Sequence, residues 1–129
     1  MLRILIVEDE KVNMLLTVTI LESAGHVALQ AASGGAGIAV ARSERPDVIL
    51  MDIQLPDIDG LEAIRQLRAD PRTRHIPVIA VTAFAMRGDA EIMKGAGFDG
   101  YITKPIRYQA FLEEIESVVQ KVRGARQEE

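Results

Sequence analysis

Cysteine is absent from the 129 residues of this chain. Its absence excludes disulfide scaffolds, thiol nucleophiles and thiolate metal sites. Blocks of basic residues are missing as well, and the formal net charge at pH 7 is −4. Direct nucleic-acid binding, which depends on neutralising phosphates, is therefore not expected.

The chain also lacks an apolar run long enough for a membrane span or a secretion signal. The N-terminal run from Ile4 to Val7 is followed at once by Glu8 and Asp9, which makes it far too short for the hydrophobic region of a signal peptide. Hydrophobic residues make up 48% and charged residues 26% of the chain, as in soluble globular proteins. We therefore predict a cytoplasmic protein with one domain at residues 1–122 and a flexible tail at residues 123–129.

Short apolar runs alternate with helical patterns, which is typical of a parallel sheet built from βαβ units. Five strands are predicted at residues 2–7, 27–31, 47–51, 77–81 and 100–103. Five helices are predicted at residues 12–23, 36–43, 61–69, 89–94 and 107–122, and the pair Gly34-Gly35 precedes the second. This alternation predicts an α/β fold of the flavodoxin-like (βα)5 type, a doubly wound parallel sheet in the strand order 2-1-3-4-5.

Polar side chains stand at the carboxyl ends of four predicted strands. Glu8 and Asp9 follow the first strand, Asp52 the third and Thr82 the fourth, and Lys104 lies just beyond the fifth. Since the carboxyl ends of parallel strands share one edge, where such sheets bind ligands, we expect these side chains to converge. Three crowded carboxylates resist ionisation unless a cation lies among them. Oxygen ligands without imidazole or thiolate favour Mg²⁺, with Mn²⁺ as the alternative.

This set of side chains suits phosphoryl transfer. With a metal in place, one carboxylate can act as a nucleophile and form an acyl phosphate. The metal and the lysine can neutralise charge on the transferred oxygens, and the hydroxyl can hydrogen-bond the bound group. Each residue alone has an ordinary explanation: a helix cap for Asp9 or Asp52, a strand end for Thr82, a solvated charge for Lys104. Their joint placement argues for a shared site.

Five separated motifs resemble those of response-regulator receiver domains. They are found at residues 4–10, 48–56, 60, 82–83 and 104–105. The spacings agree with the family, with 43 residues from Asp9 to Asp52, 30 from Asp52 to Thr82 and 22 from Thr82 to Lys104. The resemblance covers residues 2–122. Residues 75–86 further resemble single-domain regulators of the DivK type, which act in cell-cycle and polarity signalling.

The resemblance implies that Asp52 is the phosphate acceptor. The phosphoryl group would come from a sensor histidine kinase or a histidine phosphotransfer protein. Glu8 and Asp9 would hold Mg²⁺ together with Asp52 and the backbone carbonyl of Gln54. Many members of the family have two aspartates in the first pair, but Glu-Asp is also common.

The resemblance also implies how the phosphoryl group is bound and detected. Thr82, Ala83 and Lys104 would contact it, and the peptide bond from Lys104 to Pro105 would be cis. Thr82 and Tyr101 would form a switch that shifts the face made by the fourth helix, fifth strand and fifth helix, and so controls a downstream protein. The alternative for Tyr101 is an ordinary packing residue of an edge strand.

Two apolar groups outside this site suggest partner surfaces. Phe84 and Met86 lie in the loop after the fourth strand, where turn residues are expected. Phe84 could instead fold over Asp52 as a lid that slows hydrolysis. Met14 and Val18 form a stripe on the first helix, near which kinases and phosphotransfer domains dock in the family. The alternative is that this stripe belongs to a wide buried face.

Three rival functions fit the sequence less well than the signalling switch. A flavodoxin-like cofactor binder needs hydroxyls and glycines in the first strand–helix loop, where this chain has Glu8, Asp9 and Glu10. A phosphohydrolase needs a general acid or a further substrate pocket, and the sequence indicates neither. A pseudo-receiver would bind partners without phosphorylation, and the complete acceptor set argues against it. We predict a stand-alone switch that catalyses only its own phosphotransfer and autodephosphorylation.

Overall fold

Strands and helices alternate along the chain as the sequence pattern predicts. The computed structural model describes residues 1–83, 89–104 and 106–127. Its strands are β1 (Arg3–Val7), β2 (Val27–Ala31), β3 (Val48–Asp52), β4 (Val78–Thr82) and β5 (Gly100–Thr103). Its helices are α1 (Lys11–Ser23), α2 (Gly34–Glu44), α3 (Gly60–Ala69), α4 (Asp89–Ala96) and α5 (Tyr108–Gln127).

The five strands form one parallel sheet in the order β2-β1-β3-β4-β5. The predicted fold and strand order are therefore confirmed. Every residue of β3 and β4 is buried, because helices cover both faces of a sheet of this kind.

Alternate residues of the strands divide the core into two clusters. The first core cluster joins the sheet to α2, α3 and α4 and includes Leu5, Val7, Ile38, Ala41, Ile49, Met51, Ile64, Leu67, Val78, Met93 and Phe98. The second core cluster joins it to α1 and α5 and includes Ile4, Ile6, Met14, Val18, Leu21, Leu50, Ile79, Val81, Phe111, Ile115 and Val118. Since successive strand residues point to opposite faces, each strand contributes to both clusters.

Acceptor side chains fix where three of the helices begin. Glu10 caps α1 by accepting hydrogen bonds from the backbone N–H groups two and three residues on, at 3.3 and 2.7 Å. Ser33 caps α2 in the same way at 3.1 Å, and Asp59 caps α3 at 2.9 Å. These caps satisfy N–H groups that have no partner within the helix. They also start the helices close to the carboxyl edge of the sheet.

The end of the last helix differs from the prediction. The apolar pattern of α5 stops at Val122, but the helix continues to Gln127, so residues 123–127 of the predicted tail are helical. Arg123 forms an ion pair with Asp47 at 3.0 Å, which supports a segment whose residues, apart from one glycine, suit a helix. Within the described ranges, no helix combines the length and the apolar content needed to cross a bilayer.

Arg68 of α3 connects three segments of the chain through its guanidinium group. It donates hydrogen bonds to the backbone carbonyls of Arg74 at 2.9 Å and Ile76 at 2.7 Å. It also donates to the carbonyl of Gly97 at 2.9 and 3.1 Å and to the Asp99 carboxylate at 2.8 Å. The planar guanidinium fork suits several fixed acceptors at once.

Replacing Arg68 by alanine should lower the free energy of unfolding by about 2 kcal/mol, since the carbonyls lose charged donors. Arg65→Ala is the matched control on the same helix, because Arg65 pairs with Glu62 and has a 67% exposed side chain. It should cost much less than Arg68→Ala, because exposed ion pairs contribute little to stability. Urea denaturation followed by circular dichroism measures both. Equal losses would mean that the bonds of Arg68 make no special contribution.

Candidate functional site

The carboxyl edge of the sheet brings the predicted site residues together. In the β1–β3 register, the residue before Glu8 pairs with the residue before Asp52, so the two carboxylates lie side by side. Thr82 ends β4, and its carbonyl oxygen accepts a hydrogen bond from the backbone N–H of Lys104 at 2.7 Å. Asp9 follows Glu8 at the start of the β1–α1 loop and is exposed.

Lys104 bridges the two buried carboxylates. Its Nζ donates to Oε1 of Glu8 at 2.8 Å and to Oδ2 of Asp52 at 3.0 Å. Glu8 is 5% exposed and Asp52 is 8% exposed, so these ion pairs are largely screened from solvent. The other carboxylate oxygen of Asp52, Oδ1, accepts a hydrogen bond from the backbone N–H of Gln54 at 2.9 Å. Both oxygens of Asp52 are thus held in place.

The pKa values of the Glu8 and Asp52 carboxyl groups shift in opposite directions. Burial raises the pKa of the Glu8 carboxyl to about 7, reinforced by the neighbouring Asp52 and opposed by Lys104. Burial also acts to raise the pKa of Asp52, but the neighbouring Glu8, the backbone N–H of Gln54 and Lys104 together outweigh it and leave that pKa below its usual value. The pKa values of adjacent carboxyl groups separate in this way because the two groups resist being charged at the same time. In the absence of a metal, Asp52 is the carboxyl group that ionises first.

The acidic residues of this edge fit a hard divalent cation. Glu8, Asp9 and Asp52 each offer a carboxylate oxygen, and these oxygens lie within 4.8 Å of one another. Oε2 of Glu8 is buried and has no hydrogen-bond partner among the residues that the structure describes. A buried carboxylate oxygen left without a donor is costly, and a cation among the three oxygens would satisfy it. An all-oxygen donor set suits Mg²⁺.

Thr82 and Ala83 stand at the end of β4, and Tyr101 lies in β5, the strand that precedes Lys104. Thr82 is only 1% exposed, whereas Ala83 is exposed. Tyr101 is half-buried, pairs with Ala80 across β4 and β5, and packs against the first core cluster. Their roles in phosphoryl binding and switching stay predictions.

Gln54 stands at the start of the loop between β3 and α3. Its side chain is exposed, and its backbone forms an isolated antiparallel bridge with Asp59. The N–H of Gln54 holds Asp52, as described above. The use of its carbonyl as a metal ligand stays a prediction.

The predicted partner stripe on α1 is wrong in its residues. Met14 is 9% and Val18 is 8% exposed, and both belong to the second core cluster. The exposed apolar residues of α1 are instead Val12 at 71%, Leu15 at 67% and Leu16 at 48%. The alternative of a buried face holds for Met14 and Val18, because that side of α1 packs on the sheet.

Three predicted residues lie outside the described part of the chain. They are Phe84, Met86 and Pro105. The lid or partner role of Phe84, the partner role of Met86 and the cis bond from Lys104 to Pro105 therefore stay predictions.

One contact near the site was missed by the sequence analysis. Both carboxylate oxygens of Asp57 accept hydrogen bonds from backbone N–H groups, those of Gly34 at 2.9 Å and Gly35 at 2.8 Å. The glycine pair before the second predicted helix and the aspartate after Pro56 were the visible signals. Nothing in their spacing of 22 and 23 residues indicates that they meet.

Comparison with known protein families gives a match along most of the chain. The model of the response regulator receiver domain matches residues 4–116. The polar-differentiation response regulator DivK of Brucella anthropi is 47% identical over 114 residues, which cover 88% of this chain and 93% of that protein.

Solved structures agree with this match. A CheY-like receiver domain protein from Methanospirillum hungatei JF-1 superposes with a TM-score of 0.85 at 32% identity, covering 95% of this chain and 97% of the other. The receiver domain of sensor histidine kinase PA1611 from Pseudomonas aeruginosa PAO1 gives a TM-score of 0.80 at 36% identity, covering 95% and 98%. That domain has a magnesium ion coordinated in its active-site cleft. The present chain belongs to the response regulator receiver domain family.

Proposed function

We propose that this chain is a switch that accepts a phosphoryl group on Asp52 in a Mg²⁺-dependent reaction. The observation that carries the proposal is the grouping of three carboxylates and Lys104 at the carboxyl edge of the sheet. Receiver domains are signalling switches phosphorylated by histidine kinases or histidine phosphotransfer proteins, and membership of the family supports the same donors here.

Asp52 is the nucleophile of the proposed reaction. A carboxylate oxygen of Asp52 attacks the phosphorus of the donor's phosphohistidine, a P–O bond forms, and the P–N bond breaks. The electron pair of that bond stays on the imidazole, which takes up a proton from solvent. The lowered pKa of Asp52 favours the ionised form that this attack needs. The fixed hydrogen bond from Gln54 limits the rotation of the carboxylate.

Glu8 and Asp9 are the residues that would hold Mg²⁺ beside Asp52, with the carbonyl of Gln54 as a further ligand. When bound, the ion would neutralise charge on the phosphoryl oxygens. Lys104 would contribute a second positive charge, because its Nζ already reaches Asp52. Moving Nζ of Lys104 from Asp52 to the phosphoryl group would cost little free energy, because the new partner is also anionic.

Thr82, Ala83 and Tyr101 are the residues proposed to bind and report the phosphoryl group. Thr82 stands at the end of β4, next to the strand that ends in Asp52. Tyr101 lines two surface grooves, one shared with Met93 of α4 and the other with Arg107 before α5. The space in these two grooves supports a movement of Tyr101 that would change the surface of α4, β5 and α5. A downstream protein, in the cytoplasm, would read that surface.

Incubation with radiolabelled acetyl phosphate tests the proposed function. We expect the wild-type protein to incorporate label when Mg²⁺ is present and to lose that ability when EDTA removes it. The bond should be cleaved by hydroxylamine, which distinguishes an acyl phosphate from a phosphoserine or phosphothreonine ester. Borohydride reduction should convert residue 52 to homoserine, which mass spectrometry detects. Stable label at a hydroxyl group, or no label at all, would contradict the proposal.

A further inference from the structure

The loop between β3 and α3 is tied to the start of α2 by one side chain. Asp57 accepts one hydrogen bond on each carboxylate oxygen, from Gly34 N–H at 2.9 Å and from Gly35 N–H at 2.8 Å. These N–H groups belong to the first turn of α2, where helices lack internal acceptors and favour a negative charge. The contact therefore combines charge and two fixed directions, although the Asp57 side chain lies at the surface.

The residue next to Asp57 explains why α2 begins with glycine. A Cβ atom on Gly34 would lie 2.4 Å from Cγ1 of Ile58, far inside contact distance. A Cβ on Gly35 would come no closer than 3.4 Å to another group, the Oδ2 atom of Asp57. Ile58 of the loop therefore packs on Gly34, and Asp57 accepts hydrogen bonds from the N–H groups of Gly34 and Gly35.

The same loop holds the proposed phosphate acceptor. The N–H of Gln54 donates to Oδ1 of Asp52 at 2.9 Å. The base of the loop is closed by the bridge between Gln54 and Asp59 and by a hydrogen bond of 3.3 Å from Gly60 N–H to the Ile53 carbonyl. Asp57 lies only five positions after Asp52, so a shift of the loop tip is passed on to Gln54.

We propose that Asp57 is a positioning residue, which anchors the loop on α2 and so holds the Gln54 backbone in place against Asp52. Among the described residues, Asp57 forms no hydrogen bond with an acidic residue of the site, and it acts through Gln54. The inference rests on the proposed function, since Asp52 and Gln54 serve there as acceptor and metal ligands. Residues around metal ligands commonly control the affinity of the metal in this way.

Asp57→Ala tests the inference through Mg²⁺ binding, measured by isothermal titration calorimetry. We expect the Mg²⁺ dissociation constant to rise about tenfold. The initial rate of labelling by acetyl phosphate should fall at low Mg²⁺ and recover at saturating Mg²⁺, because Asp52 itself is unchanged. The amide proton signal of Gln54 in NMR spectra should also shift, reporting a weakened bond to Asp52. Asp57→Asn, which keeps one acceptor oxygen, should show intermediate values.

Ser33→Ala is the matched control for helix capping. Ser33 also accepts a hydrogen bond in the first turn of α2, but from Ala36 at 3.1 Å, and within the described part of the chain its side chain forms no hydrogen bond with the loop. It should leave Mg²⁺ affinity and the Gln54 signal as in the wild type. Equal effects of Ser33→Ala and Asp57→Ala on both readouts would overturn the inference, since capping alone would then explain them.

A second pair of variants approaches the contact from the side of α2. Gly34→Ala should displace Ile58 and weaken Mg²⁺ binding, while Gly35→Ala should leave it unchanged. Circular dichroism shows whether Asp57→Ala folds. If it does not, the comparison of Gly34→Ala with Gly35→Ala still tests the inference. Wild-type affinity in both Gly34→Ala and Asp57→Asn would overturn the inference. Failure of the wild type to take up label would instead count against the proposed function and leave the calorimetric comparison intact.

Discussion

Asp52→Asn should take up no phosphoryl group from acetyl phosphate, even at saturating Mg²⁺. The amide keeps the size of the side chain and can still accept the hydrogen bond from Gln54. It lacks the ionised oxygen that attacks phosphorus, so the covalent step is removed while the fold stays intact. Lys104 keeps its ion pair with Glu8 in this variant. We therefore expect a folded protein with labelling below detection, measured by scintillation counting after gel separation.

Asp59→Asn is the matched control for this loss. Asp59 lies in the loop that follows Asp52 and caps α3 at 2.9 Å, a role that asparagine fills equally well. The control should incorporate label at the wild-type rate. Asp9→Asn should label slowly and respond to added Mg²⁺, because it removes a proposed metal ligand and leaves the nucleophile. Label in Asp52→Asn at another residue would show that the acceptor has been misassigned.

Lys104→Met should weaken both the fold and the reaction. Without Lys104, Glu8 and Asp52 are left buried side by side with no cation, and the loss of one member of such a pair costs about 3 kcal/mol of unfolding free energy. Mg²⁺ should restore more stability to this variant than to the wild type, since it supplies the missing positive charge. The labelling rate should fall about 100-fold, because one group that neutralises the transferred oxygens is gone.

Two further variants separate these causes. Lys94→Met replaces an exposed lysine of α4 and should leave stability and labelling close to the wild-type values. Adding Glu8→Gln to Lys104→Met removes one of two adjacent buried carboxyl groups that resist being charged together. The double variant should recover part of the lost stability, measured by urea denaturation in the presence of EDTA. Loss of stability in Lys104→Met that the second substitution does not relieve would point to packing of the lysine stem instead of charge.

The fold could be predicted because its strongest signals are local. The strands ending in Asp52 and Thr82 are continuous apolar runs bounded by polar residues, and such runs are typical of strands buried on both faces. Because the strands are parallel, their carboxyl ends lie at one edge of the sheet, and this brings Glu8, Asp52 and Lys104 together. The all-parallel sheet and its strand order are confirmed.

Features that depend on packing between distant segments could not be predicted. Apolar residues occur on several sides of α1, so periodicity does not show whether Met14 or Leu16 faces the sheet. The continuation of α5 to Gln127 is accompanied by an ion pair between Arg123 and Asp47, which are 76 residues apart. The hydrogen bonds that Asp57 accepts from the first turn of α2 likewise form only when the β3–α3 loop meets that helix.

The contact between Lys104 and Glu8 has a consequence for synthesis of the protein. These residues are 96 positions apart in the sequence, so the contact forms only after residue 104 has left the ribosome. Contacts between such distant residues form late and slowly during folding. An unfinished chain that already contains Asp52 lacks the lysine, and therefore should not be able to accept a signal before its last strand is in place.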